Sequence, residues 1–239
     1  MWVFLDLPSE GFAEGVEFWR QVTRTELSSW RGERQEFATL LPAEGDPWVK
    51  VQRVGGAGGV HVDLDVDVPL AAARDEAVGL GAELVGELDD VVVCRSPGGQ
   101  AFCLCAGPAG RRQVREQHGS LLDQVCLDIP RHRYAVEVAF WSALTGWAVV
   151  DDATDEFERL EWPRELPARF LLQRLDERDG PVRAHVDLAC ADRDAEVRRH
   201  VRLGAGVVGP GRGWTVMRDP NGTRYCCTGR DPLTGGAQR

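Results

Sequence analysis

The tetrapeptide His-Val-Asp-Leu occurs twice, beginning at His61 and at His185. Residues two apart on a strand share a face, so His61 lies beside Asp63 and His185 beside Asp187. A histidine next to a carboxylate can hydrogen-bond a ligand, ligate a metal or exchange a proton near neutral pH, or it can satisfy buried polar groups at a strand start. His118, His132 and His200 have no repeated counterpart. A second polar pair is Gln52 and Gln173, each followed by arginine and each set in an apolar run. A buried amide must find a partner or cost roughly 1 to 3 kcal/mol, and that partner is a ligand or water in a hollow, unless the amide faces solvent at a strand end. Cys103 and Cys226 follow Phe102 and Tyr225, and a thiol there either reaches a site or acts as a small buried apolar group.

These repeated residues belong to a repeat of the whole chain. Phe18-Trp19 returns as Phe140-Trp141, Leu80-Gly81-Ala82 as Leu203-Gly204-Ala205, and Arg95-x-Pro-x-Gly as Arg218-x-Pro-x-Gly, at offsets of 122 to 123 residues. Two copies of one fold in one register follow. With 239 residues, 43% of them hydrophobic, each copy can bury a core of its own.

Within a copy the pattern is β-α-β-β-β, used twice. Val60 to Val66 alternates like a half-buried strand, Pro69 opens a helix that Gly81 ends, and three short strands follow, the last two joined by a turn at Ser96-Pro97-Gly98-Gly99. The preceding segment reads as strand, helix with Phe12, Val16 and Trp19 on one side, then two strands ending near Val54. Trp19 and Trp141 therefore read as packing between helix and sheet, as do Trp48, Trp162 and Trp214, which are also possible walls of a site. The expected organisation is a domain over 1–106, a linker over 107–120 that contains Arg111, Arg112 and Arg115, a second domain over 121–229 and a flexible tail over 230–239. The fold class is α+β.

This paired β-α-β-β-β unit, ending in Arg-Asp-Pro-Asn-Gly-x-x-Tyr-Cys, resembles the vicinal oxygen chelate superfamily of glyoxalases, extradiol dioxygenases and bleomycin-resistance proteins, and its glyoxalase-like branch most of all. The resemblance implies two tandem domains, each a curved mixed sheet cupped around a site with helices outside. It also implies metal-ligand stations on the first and last strands of each unit. Those stations carry Gln124, Gln173, His185 and Cys226 in the second copy, and Trp2, Gln52, His61 and Cys103 in the first. Family members that use Zn, Ni, Mn or Fe place histidine, glutamate or glutamine there with at least one carboxylate. Here no station holds a carboxylate, and a neutral amide supplies less charge and donor strength. Trp2, standing where Gln124 stands in the other copy, either shapes an apolar space or plugs it.

Two functions follow as expectations. One is metal-free binding of a small organic molecule, as in the resistance proteins, in the second cup around Gln124, Gln173, His185 and Cys226, with His185 and His61 as the first candidates for catalysis. The other is a metal-dependent lyase, isomerase or dioxygenase. Arg95 and Arg218, before the Pro-x-Gly turns, either reach an anionic ligand at the cup mouth or are solvated. A formal net charge of -10 argues against nucleic acid as a partner. No apolar run approaches the roughly 20 residues of a membrane span. Seven cysteines without metal or redox spacing suit a reducing compartment, hence the cytoplasm, with a monomer or homodimer equally allowed. Gly204 to Gly209 fits GxGxxG but leads from a helix into a strand, the reverse of a dinucleotide loop.

Overall fold

The structure is a computed structural model that describes residues 1–107, 119–151, 156–161, 163 and 165–236. Most of the expected linker, with its three arginines and His118, lies outside the described residues, as do Trp162 and the last three residues of the tail.

Four β-α-β-β-β modules follow one another. The first has β1 (Trp2–Pro8), α1 (Phe12–Thr23), β2 (Glu26–Leu27), β3 (Phe37–Leu41) and β4 (Val49–Val54). The second has β5 (Gly59–Val66), α2 (Leu70–Gly79), β6 (Glu83–Leu88), β7 (Val91–Arg95) and β8 (Ala101–Ala106). The third has β9 (Ser120–Pro130), α3 (Tyr134–Thr145), β10 (Val149–Asp151), β11 (Phe157–Leu160) and β12 (Arg169–Leu175). The fourth has β13 (Arg183–Cys190), α4 (Arg193–Arg202), β14 (Gly206–Pro210), β15 (Trp214–Arg218) and β16 (Arg224–Thr228).

Each half builds one curved, eight-stranded mixed sheet, in the order β2-β3-β4-β1-β5-β8-β7-β6 and β10-β11-β12-β9-β13-β16-β15-β14. Corresponding registers coincide. Gln52 lies opposite Phe37 and Gln173 opposite Phe157, while the parallel pairs set Asp63 opposite Cys103 and Asp187 opposite Cys226. Alternation explains the burial: Val3, Leu5 and Leu7 of β1 and Phe170 and Leu172 of β12 are all buried. Each such side chain contributes about 1.5 to 3 kcal/mol over leaving it exposed. Gly81 and Gly204 end their helices at φ of 105° and 108°, a backbone region costly for other residues.

Some boundaries differ from expectation. Strand β2 is too short to show a period, and β9 begins at Ser120, inside the expected linker. Pro69 is the N-cap of α2 rather than its first helical residue.

By packing, the described residues divide into two compact units, each drawing on both halves: those within 1–3, 61–107 and 125–184 in one, those within 4–60, 119–124 and 185–236 in the other. In the first unit the ring of Phe102 meets Phe140 and Trp141 at centroid distances of 5.7 and 5.3 Å. Trp141 donates its indole N–H to Glu137 Oε2 at 2.9 Å. Glu137 also takes the backbone N–H of Gly98 and the Ser96 hydroxyl. In the second unit Phe18 and Trp19 pack on Tyr225 at 6.0 and 5.1 Å, and Trp19 donates to Asp219 Oδ2 at 3.0 Å. The Asn221 amide donates to the carbonyls of Glu10 and Gly11 at 3.2 and 3.1 Å. Burial raises the pKa of both Glu137 and Asp219 above the usual carboxylate value, despite these hydrogen bonds.

Candidate functional site

Three of the four station residues of the second sheet, Gln124, His185 and Cys226, converge in one unit, and Gln173 does not join them. Gln124 on β9 donates its amide to Asp187 Oδ2 at 2.5 Å. On β13, His185 Nε2 stands 3.3 Å from Asp187 Oδ1, and the Cys226 sulfur on β16 lies 3.6 Å from the same nitrogen. Strand alternation brings histidine and aspartate onto one face, and parallel pairing with β16 adds the cysteine. The cluster is secluded, with Gln124 at 3%, Asp187 at 4% and Cys226 at 6% exposure.

Two further residues complete it. Arg230, just past β16, pairs with Asp123 and reaches Asp187 Oδ2 with its other terminal nitrogen at 3.7 Å. Burial opposes ionisation of Asp187, but the His185 ring, the Arg230 charge and the Gln124 amide together hold its pKa below the usual value. Arg230 lies in the segment that reads from sequence as a flexible tail, and Asp123 stands at no ligand station. Neither has a like residue in the other half, since Gly107 and Met1 occupy the matching places, so a search for repeats could not find them.

The first sheet repeats the core of this arrangement. His61 Nε2 lies 3.7 Å from Asp63 Oδ1, and Cys103 is opposite Asp63. In each sheet one histidine, one carboxylate and one thiol offer ligand atoms within 4.8 Å of one another. A carboxylate is therefore present after all, two residues beyond the histidine station rather than at a station. Gln173 has protein partners: it donates to Glu156 at 2.7 Å, and the Cys126 thiol approaches its oxygen at 3.9 Å. Trp2 and Gln52 stand half-buried on β1 and β4, and Arg95 and Arg218 are exposed.

A separate cavity of about 470 Å³ lies in the first unit, lined by Leu64, Ala73, Leu104, Leu144 and Trp147 among others. Leu64 and Leu104 alternate with Asp63 and Cys103, and none of the first triad is among the described residues that line this cavity.

The model of the glyoxalase-like domain family matches residues 2–105 and again 124–228. The chain belongs to the glyoxalase-like domain family, in two tandem copies. Among solved structures, 2,2',3-trihydroxybiphenyl 1,2-dioxygenase from Sphingomonas wittichii strain RW1 is similar with a TM-score of 0.60 and 15% identity, over 95% of this chain and 88% of that one. An extradiol ring-cleaving dioxygenase from B. fuscum gives a TM-score of 0.64 and 17% identity over 96% and 71%. A variant of 4-hydroxymandelate synthase from Streptomyces coelicolor gives 0.62 and 13% over 100% and 93%. At these identities the likeness is one of fold. No curated protein sequence matches the chain.

The glyoxalase-like fold implies a divalent metal, and the second cluster meets that demand only in part. A tetrahedral ion with bonds of about 2.0 to 2.3 Å separates nitrogen, oxygen and sulfur donors by about 3.3 to 3.6 Å. The distances from His185 Nε2 to Asp187 Oδ1 and to Cys226 Sγ, 3.3 and 3.6 Å, agree with that spacing. The charges do not. Asp187 is already met by the Arg230 guanidinium and the Gln124 amide, and an ion on the same carboxylate would face that fixed positive charge. As folded, this donor set does not fit a tightly held divalent metal.

Proposed function

We propose that the chain binds a small organic molecule at the second sheet, around His185, Asp187, Gln124 and Cys226, without a tightly held metal. The observation that carries this reading is the compensation of the Asp187 charge from within the protein, by Arg230 at 3.7 Å and Gln124 at 2.5 Å. The carboxylate then fixes the imidazole of His185, which is the group presented to a polar atom of the ligand or able to exchange a proton with it. Sequestration of the bleomycin-resistance kind is one form of such binding. None of the seven cysteines is joined in a disulfide, which suits the cytoplasm. No described helix is long and apolar enough to cross a membrane.

A second reading, a metal-dependent dioxygenase, lyase or isomerase, is favoured by the donor spacing. Elemental analysis of protein purified without chelator separates the two. The binding reading expects Zn, Ni, Mn and Fe well below one per chain, whereas stoichiometric metal lost on His185→Ala overturns it. The structural neighbours are named for phenolic aromatic compounds, so hydroxylated aromatic acids are the first probes to try in thermal-shift titrations. A shift abolished by His185→Ala supports the site. A shift unchanged in that variant but lost when Ala73→Trp fills the cavity of the first unit moves binding away from His185 and refutes it.

A further inference from the structure

We infer that Arg230 is a built-in counter-cation: it takes the electrostatic place of a metal in the second cluster, and removing its charge turns His185, Asp187 and Cys226 into a site for a borderline divalent ion such as zinc or cobalt. This rests on the metal-free reading above and explains how a fold suited to metal chemistry dispenses with it.

Three observations carry the inference. Two of the three ligand-atom distances, 3.3 and 3.6 Å from His185 Nε2, match a tetrahedral ion, and the third stays within 4.8 Å, a span that a small side-chain adjustment closes. Asp187 Oδ1 is buried, and no close hydrogen bond satisfies it, with His185 Nε2 standing 3.3 Å away. A buried carboxylate oxygen in that condition is costly unless a charge stands nearby. The charge present is Arg230, and it arrives from a part of the chain outside the repeated pattern. Cys226 corresponds to Cys103, so Arg230 corresponds to Gly107, which has no side chain to offer. The guanidinium is thus an addition peculiar to the second half, held in place by Asp123. Arginine suits the task because it cannot lose its proton to relieve the crowding of charge, and its planar fork serves two carboxylates at once.

Zinc or cobalt would bind as the Cys226 thiol gives its proton to buffer, forming bonds from nitrogen, oxygen and sulfur and leaving at least one position to water. No change of oxidation state is involved. The guanidinium opposes this by Coulomb repulsion across a few ångström of buried protein, where screening by salt is weak.

The experiment titrates cobalt(II) into the full chain in a His61→Ala background, so that the first triad does not contribute, and reads the thiolate-to-cobalt absorption band. Arg230→Met removes the charge while keeping an unbranched side chain. It should tighten cobalt binding by roughly a hundredfold and bring up the band. Adding His185→Ala should abolish both. Arg230→Lys keeps the charge and should remain metal-poor, which separates charge from disturbed packing. If Arg230→Met does not fold, Arg230→Gln retains amide donors toward Asp123 and Asp187 and is read in the same way, with circular dichroism confirming the fold. A folded, neutral variant that binds no cobalt, or binds it regardless of His185, overturns the inference while leaving the metal-free reading standing. Stoichiometric, His185-dependent metal in the protein with Arg230 intact overturns both.

Discussion

Helices α1 and α3 are the same helix in two copies, and each seats a buried tryptophan on a carboxylate, yet the carboxylate comes from opposite partners. For Trp141 it is Glu137, on the helix itself; for Trp19 it is Asp219, on the turn the helix packs against. At the offsets of the repeat, Glu137 corresponds to Gly15, Asp219 to Ser96, and Asn221 to Gly98. Each glycine stands where the other copy has bulk. A Cβ on Gly15 would lie 1.9 Å from Asn221 Oδ1, and one on Gly98 would lie 2.7 Å from Glu137 Oε1. What the duplication has kept is the contact, not the residues that make it. The two clusters teach the same lesson, since the histidine, aspartate and cysteine recur while Arg230 and Asp123 belong to one copy alone.

The reciprocity can be broken from either side. The largest effect is expected from Gly15→Glu, which drives a side chain into Asn221 and adds a second buried acid beside Asp219. Overpacking of this kind and burial of an unpaired charge each cost about 1 to 3 kcal/mol or more, so denaturant melts should show loss of most of the stability. Next comes Glu137→Ala. It leaves the Trp141 indole and the Gly98 amide without their acceptor, for a loss of about 3 kcal/mol. The sharpest test transplants one arrangement into the other. Gly15→Glu combined with Asp219→Ser and Asn221→Gly should recover to within about 1 to 2 kcal/mol of the parent, because the changes are in contact and therefore not additive. A triple variant no better than Gly15→Glu alone would show that the two arrangements are not interchangeable.

Much of the fold was legible because strand alternation, helix-ending glycines and Pro-Gly turns are local signals that the repeat shows twice. Strand β5 and helix α2 lie within two residues of the bounds that alternation, Pro69 and Gly81 mark. Strand β2 was not legible, since two residues carry no period. Nor was the parallel register that places Asp187 opposite Cys226. Strand order decides that register, and a count of residue types at ligand stations misses it. Alternation alone puts Asp187 beside His185, 3.3 Å away in the structure, but only the register brings Cys226 to both. Arg230 was hidden for the opposite reason. Comparing two copies finds what they share, and this arginine is unshared. The trade between Gly15 and Glu137 is legible only once the structure shows which turn each helix meets.

The smallest expected effect concerns the ionisation of the two acids. Burial raises Glu137 from an ordinary value of 4.5 and Asp219 from 3.8, so each binds its proton more tightly in the folded chain than in the unfolded one. The sign of the linkage follows: this contribution is fully present below the ordinary value and is lost as the pH rises through the raised one. Glu137→Gln and Asp219→Asn remove it along with one hydrogen-bond acceptor. The stability gap between parent and variant should therefore narrow as the pH climbs above about 4 and become flat once the acid has ionised in both states. Chemical denaturation at closely spaced pH values measures the gap directly. Curves of like shape for the two variants would mean that the acid feels the same surroundings whether it is delivered by helix or by turn. A gap that widens with pH at either position would mean that the tryptophan and backbone donors outweigh burial there, and that the two seats differ in kind.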